Sequence, residues 1–400
     1  MRAPVRLCTR IADGVPMVDV HVGPQGRLLS LDVFRGATIA GMILVNNPGT
    51  WEYVYPQLRH AAWHGWTMTD MIFPFFLWIV GVAMTFSFAK RMERGETRTR
   101  LLLHSVRRAA IIFALGLLIF GLPGLLFDPA FSMATLRIPG VLQRIAICFL
   151  IVSVIYLNAG IRAQAAWMVS LLAGYWLLMK LIPVPGYGAG GMDPVGNLCW
   201  FIDSSLLSGH TWIYAPAKGF DPEGILSTLP AIATTLAGVL TGHLLRSERP
   251  AAEKTVLMFG SGYLCLLLGA ILDMWFPINK NLWSSSFVVF MAGWALVCFA
   301  TVYWLVDVRG FTRWTRPFVV LGMNAIAIYC LSELVAVCLF LAPWTASDGS
   351  ATSLYDHIFK SWFFPHASPV NASLLFAVTF LLVMYAVAWF FYKRRWFIKV

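Results

Sequence analysis

Residues 68–89 read MTDMIFPFFLWIVGVAMTFSFA, a run whose sole ionisable side chain is Asp70, close to its start. A helix of this length rises roughly 33 Å at 1.5 Å per residue, enough to cross the ~30 Å hydrocarbon layer of a bilayer. The rest of the chain has the same character. Apolar types make up 59% of its 400 residues and charged types 12%, against roughly 45–50% and 25% in water-soluble domains. So little polar surface cannot cover a body that faces water on all sides. The fold class expected is an all-α, polytopic membrane helix bundle.

Stretches of similar length set the count. Ten lie near residues 31–48, 68–89, 107–127, 138–157, 165–183, 225–245, 255–276, 285–306, 317–342 and 372–392. The first is the weakest, since Asn46-Asn47-Pro48-Gly49 interrupts it. About ten spans put both termini on one face. Most of the 30 Lys and Arg residues fall in the loops of that face, above all in KRMERGETRTRLLLHSVRR from Lys90 to Arg108. By the positive-inside rule that face is cytoplasmic. The net charge of +11 therefore reflects topology, and no nucleic-acid partner is expected. The basic stretch also suits the phosphates of a nucleotide cofactor. Residues 1–26 hold charges and prolines without an apolar run and read as a cytoplasmic N-terminal segment, not as a cleaved signal. Residues 27–400 read as a single transmembrane domain, with a periplasmic Gly/Pro-rich loop at 184–224 that would cover a site.

The 7 cysteines show no CxxC or metal-type spacing, so neither a disulfide framework nor a zinc site is expected. Phosphate-loop, dinucleotide and nucleophile-elbow motifs are missing from the sequence. The chemistry must come from polar groups at membrane depth, which are costly there and mark functional sites by default. On the far, non-cytoplasmic side these are Asn46, Asn47, His60, His64 and Asp70, then Arg137, Gln143 and Arg144, then Asn279, Lys280 and Trp283, and Glu333 inside span nine. On the cytoplasmic side they include Asp32, Arg35 and Asn324. His60 and His64 are four apart and precede Asp70, but a zinc site needs a further ligand and no third histidine lies nearby; no metal is expected. A loop imidazole between aromatics titrates near neutrality and suits proton abstraction. Asp70 would fix its tautomer or cap span two, two readings that weigh equally.

SLDVFRG and LVN, followed by H-A-x-W-x-G-x-T-x-x-D-x-x-F-P-x-F, then RIPGVLQRIA, DPEGILSTLP, PINKNLWSSSFV and GMNAIAIYC run in order from residue 30 to about 333. This series resembles the transmembrane heparan-alpha-glucosaminide N-acetyltransferases, in particular their bacterial NagX-like branch. The resemblance implies an acyltransferase of a bacterial inner membrane. It would move acetyl from cytosolic acetyl-CoA to the amine of a glucosamine-type sugar on the periplasmic side. It aligns His60 with the proposed catalytic histidine and Asn46 with the asparagine of LVN. His60 would act as general base or as acetyl carrier, with Asn46 orienting it or donating to the oxyanion. Arg35, Asn324, Arg144 and Gln143 would serve the donor, and Arg137, Asn279, Lys280, Trp283 and Glu333 the acceptor. Relative to lysosomal members, the chain shows no large region ahead of these motifs and carries His64 where they have Asn. Both differences point to a small amino sugar or wall fragment rather than heparan sulfate. A homodimer is compatible with the family. The competing class is an amino-sugar permease, which moves sugar without consuming acetyl-CoA.

Overall fold

The computed structural model describes residues 28–128, 131–345 and 349–398; the segment 1–26 read above as cytoplasmic lies outside them. Thirteen α-helices occupy these residues: α1 Leu29–Asn46, α2 Ile72–Glu93, α3 Arg98–Phe127, α4 Val141–Asn158, α5 Ile161–Leu181, α6 Leu198–Leu206, α7 Thr228–Arg246, α8 Ala251–Asp273, α9 Ser285–Tyr303, α10 Arg316–Met323, α11 Ala325–Leu341, α12 Leu354–Trp362 and α13 Pro369–Lys393. Two small antiparallel hairpins, Pro183–Val184 with Gly188–Ala189 and Pro343–Thr345 with Ala351–Ser353, and five short 3-10 or π segments accompany them. The protein is a multi-pass membrane helix bundle.

Each of the ten expected spans is helical, with two departures. Eight helices are long and apolar enough to cross a membrane, or nine when α10 and α11, bent by 80° where they meet, are taken as one span. The bend lies at Asn324, whose Nδ2 donates to the Trp396 carbonyl at 3.1 Å and whose Oδ1 accepts from the Ile398 amide at 2.9 Å. The apolar run passes through this point without a break, so hydropathy alone does not reveal it. The other departure is α5, which has the length but is not among the eight. Its Arg162, Gln164 and Lys180 dilute its apolar content.

Small residues bring the backbones of α2 and α7 close together. A Cβ added at Gly81 would lie 2.0 Å from the Thr235 carbonyl oxygen, and one at Gly238 would lie 2.0 Å from that of Trp78. The helices cannot both keep this separation and accept a methyl group. Gly238→Ala should therefore cost about 1–3 kcal/mol of stability. Gly174→Ala in α5, with no atom within 4 Å of the added Cβ, should instead gain roughly 0.5–1 kcal/mol. Thermal unfolding of the two variants in one detergent checks the pair; equal melting temperatures would contradict the packing.

The loop 184–224 is more than a strap. α6 and its flanks form a small core of Leu198, Cys199 and Phe220 with Tyr175 and Met179 of α5 and Phe276 and Leu282 of the α8–α9 turn. This core fixes the loop against the bundle and presents residues 212–223 to the site.

Candidate active site

Between the end of α1, the start of α2, the far half of α3 and the start of α4 lies a cavity of about 460 Å³. Sequence dictates its polar centre. Thr67 and Asp70 form a capping box at the entry to α2, which supplies the unpaired amides of a helix start with acceptors. Asp70 Oδ2 accepts from the Ala61 and Thr67 amides at 3.1 and 3.0 Å and from Thr67 Oγ1 at 3.1 Å. Its other oxygen, Oδ1, lies 2.7 Å from His60 Nδ1. The two readings of Asp70 thus hold together: one oxygen caps the helix and the other orients the imidazole. A carboxylate at Nδ1 draws the ring proton to that nitrogen and leaves the lone pair on Nε2.

Lys280 approaches from the α8–α9 turn, its Nζ 3.0 Å from His60 Nδ1, 3.2 Å from Nε2 and 3.7 Å from Asp70 Oδ1. Burial, then the Lys280 charge, push the His60 pKa below the usual imidazole value, against the opposing pull of Asp70. The expectation of titration near neutrality is thereby moved toward acid. Burial lowers the Lys280 ammonium as well, in part offset by Asp70 and Glu223.

A second cluster faces this one. Arg137 forks onto Asp221, with Nε to Oδ2 at 2.9 Å and Nη2 to Oδ1 at 2.7 Å, and reaches Glu223 Oε2 at 2.5 Å. Burial favours a neutral guanidinium, but the two carboxylates override it and raise its pKa. Burial would push Glu223 up; the charges of Arg137, Arg144 and Lys280 hold it below the ordinary carboxylate range. Beneath the 221–224 turn, Asp203 Oδ1 accepts from the Ile225 amide at 3.0 Å and Oδ2 from the Asp221 amide at 3.3 Å. Burial lifts its carboxyl to about 7. The third polar group is Asn46, whose Nδ2 donates to Glu333 Oε1 at 2.9 Å. Asn46 therefore holds Glu333, and no bond links it to His60.

Of the residues singled out in the sequence, His60, Asp70, Asn46, Arg137, Gln143, Lys280 and Glu333 all line this one cavity. Others do not. Asn279 is buried, its Oδ1 accepting from the Leu282 amide at 2.8 Å and its Nδ2 3.4 Å from His64 Nδ1. Trp283 is buried and donates to Thr234 Oγ1 at 3.1 Å; with Asn279 it shapes the turn that carries Lys280. Arg144 is 1% exposed, lies over the Trp283 ring at 5.1 Å, donates to the Gly224 carbonyl at 3.3 Å and bonds Ser227 Oγ. It braces the 221–227 turn from below. Asn324 is spent on the C-terminal segment, as described above. Arg35 contacts Asp32 Oδ1 at 3.4 Å and the Gly322 carbonyl at 3.3 Å, at the opposite end of the bundle.

Sequence reasoning missed Asp221 and Glu223, although they stand in the quoted DPEG motif, because acidic residues in a polar loop read as solvated. It missed the aromatic wall of Trp51, Trp212, Tyr214 and Tyr329. A further cavity of about 280 Å³ opens between α2, α3 and α4 at their other end, lined by Arg91, His104, Arg107 and Arg108. Arg108 Nε is buried there with no partner.

The sequence is similar to known proteins. Residues 27–270 match the family described as heparan-alpha-glucosaminide N-acetyltransferase, catalytic. The chain belongs to this family. It is 31% identical over 359 residues to the human heparan-alpha-glucosaminide N-acetyltransferase, a match covering 77% of this chain and 53% of the human protein. The mouse protein of that name is 29% identical over 360 residues, 77% of this chain and 54% of its own length. The chain thus spans about half the length of these curated relatives. The family match takes in α1 to most of α8, and with them His60, Asp70, Arg137 and Glu223. Lys280 and Glu333 lie beyond residue 270.

Proposed function

We propose that the protein is an N-acetyltransferase that takes acetyl from acetyl-CoA on the cytoplasmic face and delivers it to the amine of a glucosamine-type sugar from the periplasmic side of a bacterial inner membrane. The observation that carries this reading is the Asp70–His60 pair at 2.7 Å inside a cavity also lined by the Asn46–Glu333 pair. A buried acid orients a base, and a second acid lies within the same walls to receive a cation. Both termini are cytoplasmic in this arrangement.

Acetyl-CoA supplies a thioester carbonyl open to attack by an amine. Glu333 draws the sugar ammonium into the cavity. His60 Nε2 removes one of its protons, which frees the nitrogen lone pair to form the C–N bond. When the C–S bond breaks, the imidazolium returns that proton to the departing sulfur, and the acylated nitrogen gives its second proton to the neutral imidazole, which passes it to water; the products are free CoA, the N-acetyl sugar and one proton. Asp70 stays ionised and holds the ring throughout.

The donor's anionic end suits the cavity of Arg91, His104, Arg107 and Arg108, where an unpartnered buried guanidinium nitrogen awaits an acceptor. Both cavities run along the α3–α4 seam. Ile111 bounds the basic one and Gly116 the His60 cavity; five residues of helix separate them, about 7.5 Å. An extended pantetheine arm spans such a gap.

The experiment is an assay on purified protein with acetyl-CoA and labelled glucosamine. Free thiol and N-acetyl sugar should appear in equal amounts. Binding or movement of unmodified sugar, with acetyl-CoA intact, would instead assign an amino-sugar permease.

A further inference from the structure

We propose that Lys280 is the positioning residue that keeps His60 neutral, so that the base works at mildly acid pH. This rests on the reading of His60 as the base.

The geometry starts with the turn that carries Lys280. The Asn279 amide donates to Ser284 Oγ at 3.0 Å, Asn279 Oδ1 accepts from the Leu282 amide, and the Trp283 amide donates to the Lys280 carbonyl at 3.0 Å. Trp283 adopts φ 51°, a left-handed conformation costly for a bulky residue. It is held there by burial and by its bond to Thr234. So constrained a turn leaves the Lys280 side chain little choice but to reach inward. Its Nζ arrives within 3.0 and 3.2 Å of the two imidazole nitrogens.

Nδ1 already gives its proton to Asp70 at 2.7 Å, and the Lys280 ammonium lies beside both ring nitrogens, at 3.0 and 3.2 Å. An ammonium there and an imidazolium are incompatible: the donor would face a second donor, and two like charges would lie about 3 Å apart. The charged groups facing the ring are few. Asp70 comes from the entry to α2 and Glu223 from the 221–224 turn; both favour protonation. Glu223, however, is matched by Arg137 at 2.5 Å, and Asp70 divides its charge among three further donors and the ring. Lys280 is left as the charge that opposes protonation, and it adds to the effect of burial.

Two consequences follow for the reaction. In the resting site the ring is neutral with the Lys280 ammonium beside it, and the sugar ammonium meets the Nε2 lone pair on binding. Once the ring has taken the amine's proton, the neighbouring Lys280 makes it a stronger acid. The proton then passes readily to the leaving sulfur.

The test is the pH profile of thiol release with glucosamine for wild type, Lys280→Met and Lys280→Arg. Wild type should lose activity only below the ordinary imidazole range, near ~6.5. Lys280→Met should move this acid limb to higher pH by about one unit or more, and Lys280→Arg should leave it in place. If the Met variant is not recovered, Lys280→Gln removes the charge while keeping bulk and a donor. A charge-free variant whose rate falls equally at every pH, with the limb unmoved, overturns the role of Lys280. Wild type that releases no thiol at any pH overturns the base reading, and this inference with it.

Discussion

Replacing His60 with alanine lowers the rate of acetyl transfer by about 10²–10⁴-fold, the usual contribution of a positioned general base. His60 lines the wall of the cavity without bracing it. Its ring contacts are Asp70 and Lys280, and truncation leaves those two free to pair across 3.7 Å. Folding should therefore survive. Stabilisation by acetyl-CoA should survive as well, because the basic cavity lies at the other end of α3. His64→Ala should cost far less, since His64 contacts Asn279 at 3.4 Å and the Trp63 ring edge-on and does not line the cavity. Rates are measured as thiol release and donor binding as a thermal shift. Full activity in His60→Ala would remove histidine base catalysis from the account. Loss of activity in His64→Ala alone would make His64 the base.

Asp70→Asn should have an effect of similar size by a different route. An amide at this position turns an NH₂ toward Nδ1 or Thr67, and a donor facing Nδ1 drives the ring proton onto Nε2. The base then carries a proton on the nitrogen that must accept one. A loss of about 10²–10⁴-fold is expected, as for loss of the base itself, and raising the pH should not recover it because the tautomer is not set by titration. Asp70→Ala adds a structural cost. It removes the acceptor of the Ala61 and Thr67 amides, and loss of such a cap costs about 0.5–2 kcal/mol. Measuring rate and unfolding on both variants separates the two duties: Asn should be slow and nearly stable, Ala slow and less stable. An Asn variant with wild-type turnover would show that Asp70 only caps the helix.

The helices were legible in the sequence wherever lipid demanded apolar side chains, and less so at their ends. α3 begins at Arg98, well before the apolar run at 107, because a helix continues through basic residues that hydropathy reads as loop. The break at Asn324 was hidden for the opposite reason: side chains on both sides of it are apolar, and the bend is held by the distant residues Trp396 and Ile398. The site was legible where an ionisable group stood at membrane depth, as with Asp70, Arg137, Lys280 and Glu333. That rule fails for polar groups that turn inward to hold backbone. Asn279 and Trp283 shape a turn, and Arg144 supports another. It also fails for Glu223, whose burial arises only when α6 and its flanks pack onto α5. Partnerships such as His60 with Lys280, 220 residues apart, come from three-dimensional packing and have no local signature.

The central claim is a His60-dependent acetyl transfer between substrates that reach the protein from opposite faces. Vesicles containing the purified protein, loaded with labelled glucosamine and given acetyl-CoA outside, test it most directly. The account predicts N-acetylated sugar inside, matched by free thiol outside, and neither with His60→Ala. Labelled sugar that leaves the vesicles unmodified, at equal rates for wild type and His60→Ala and with acetyl-CoA intact, would contradict it.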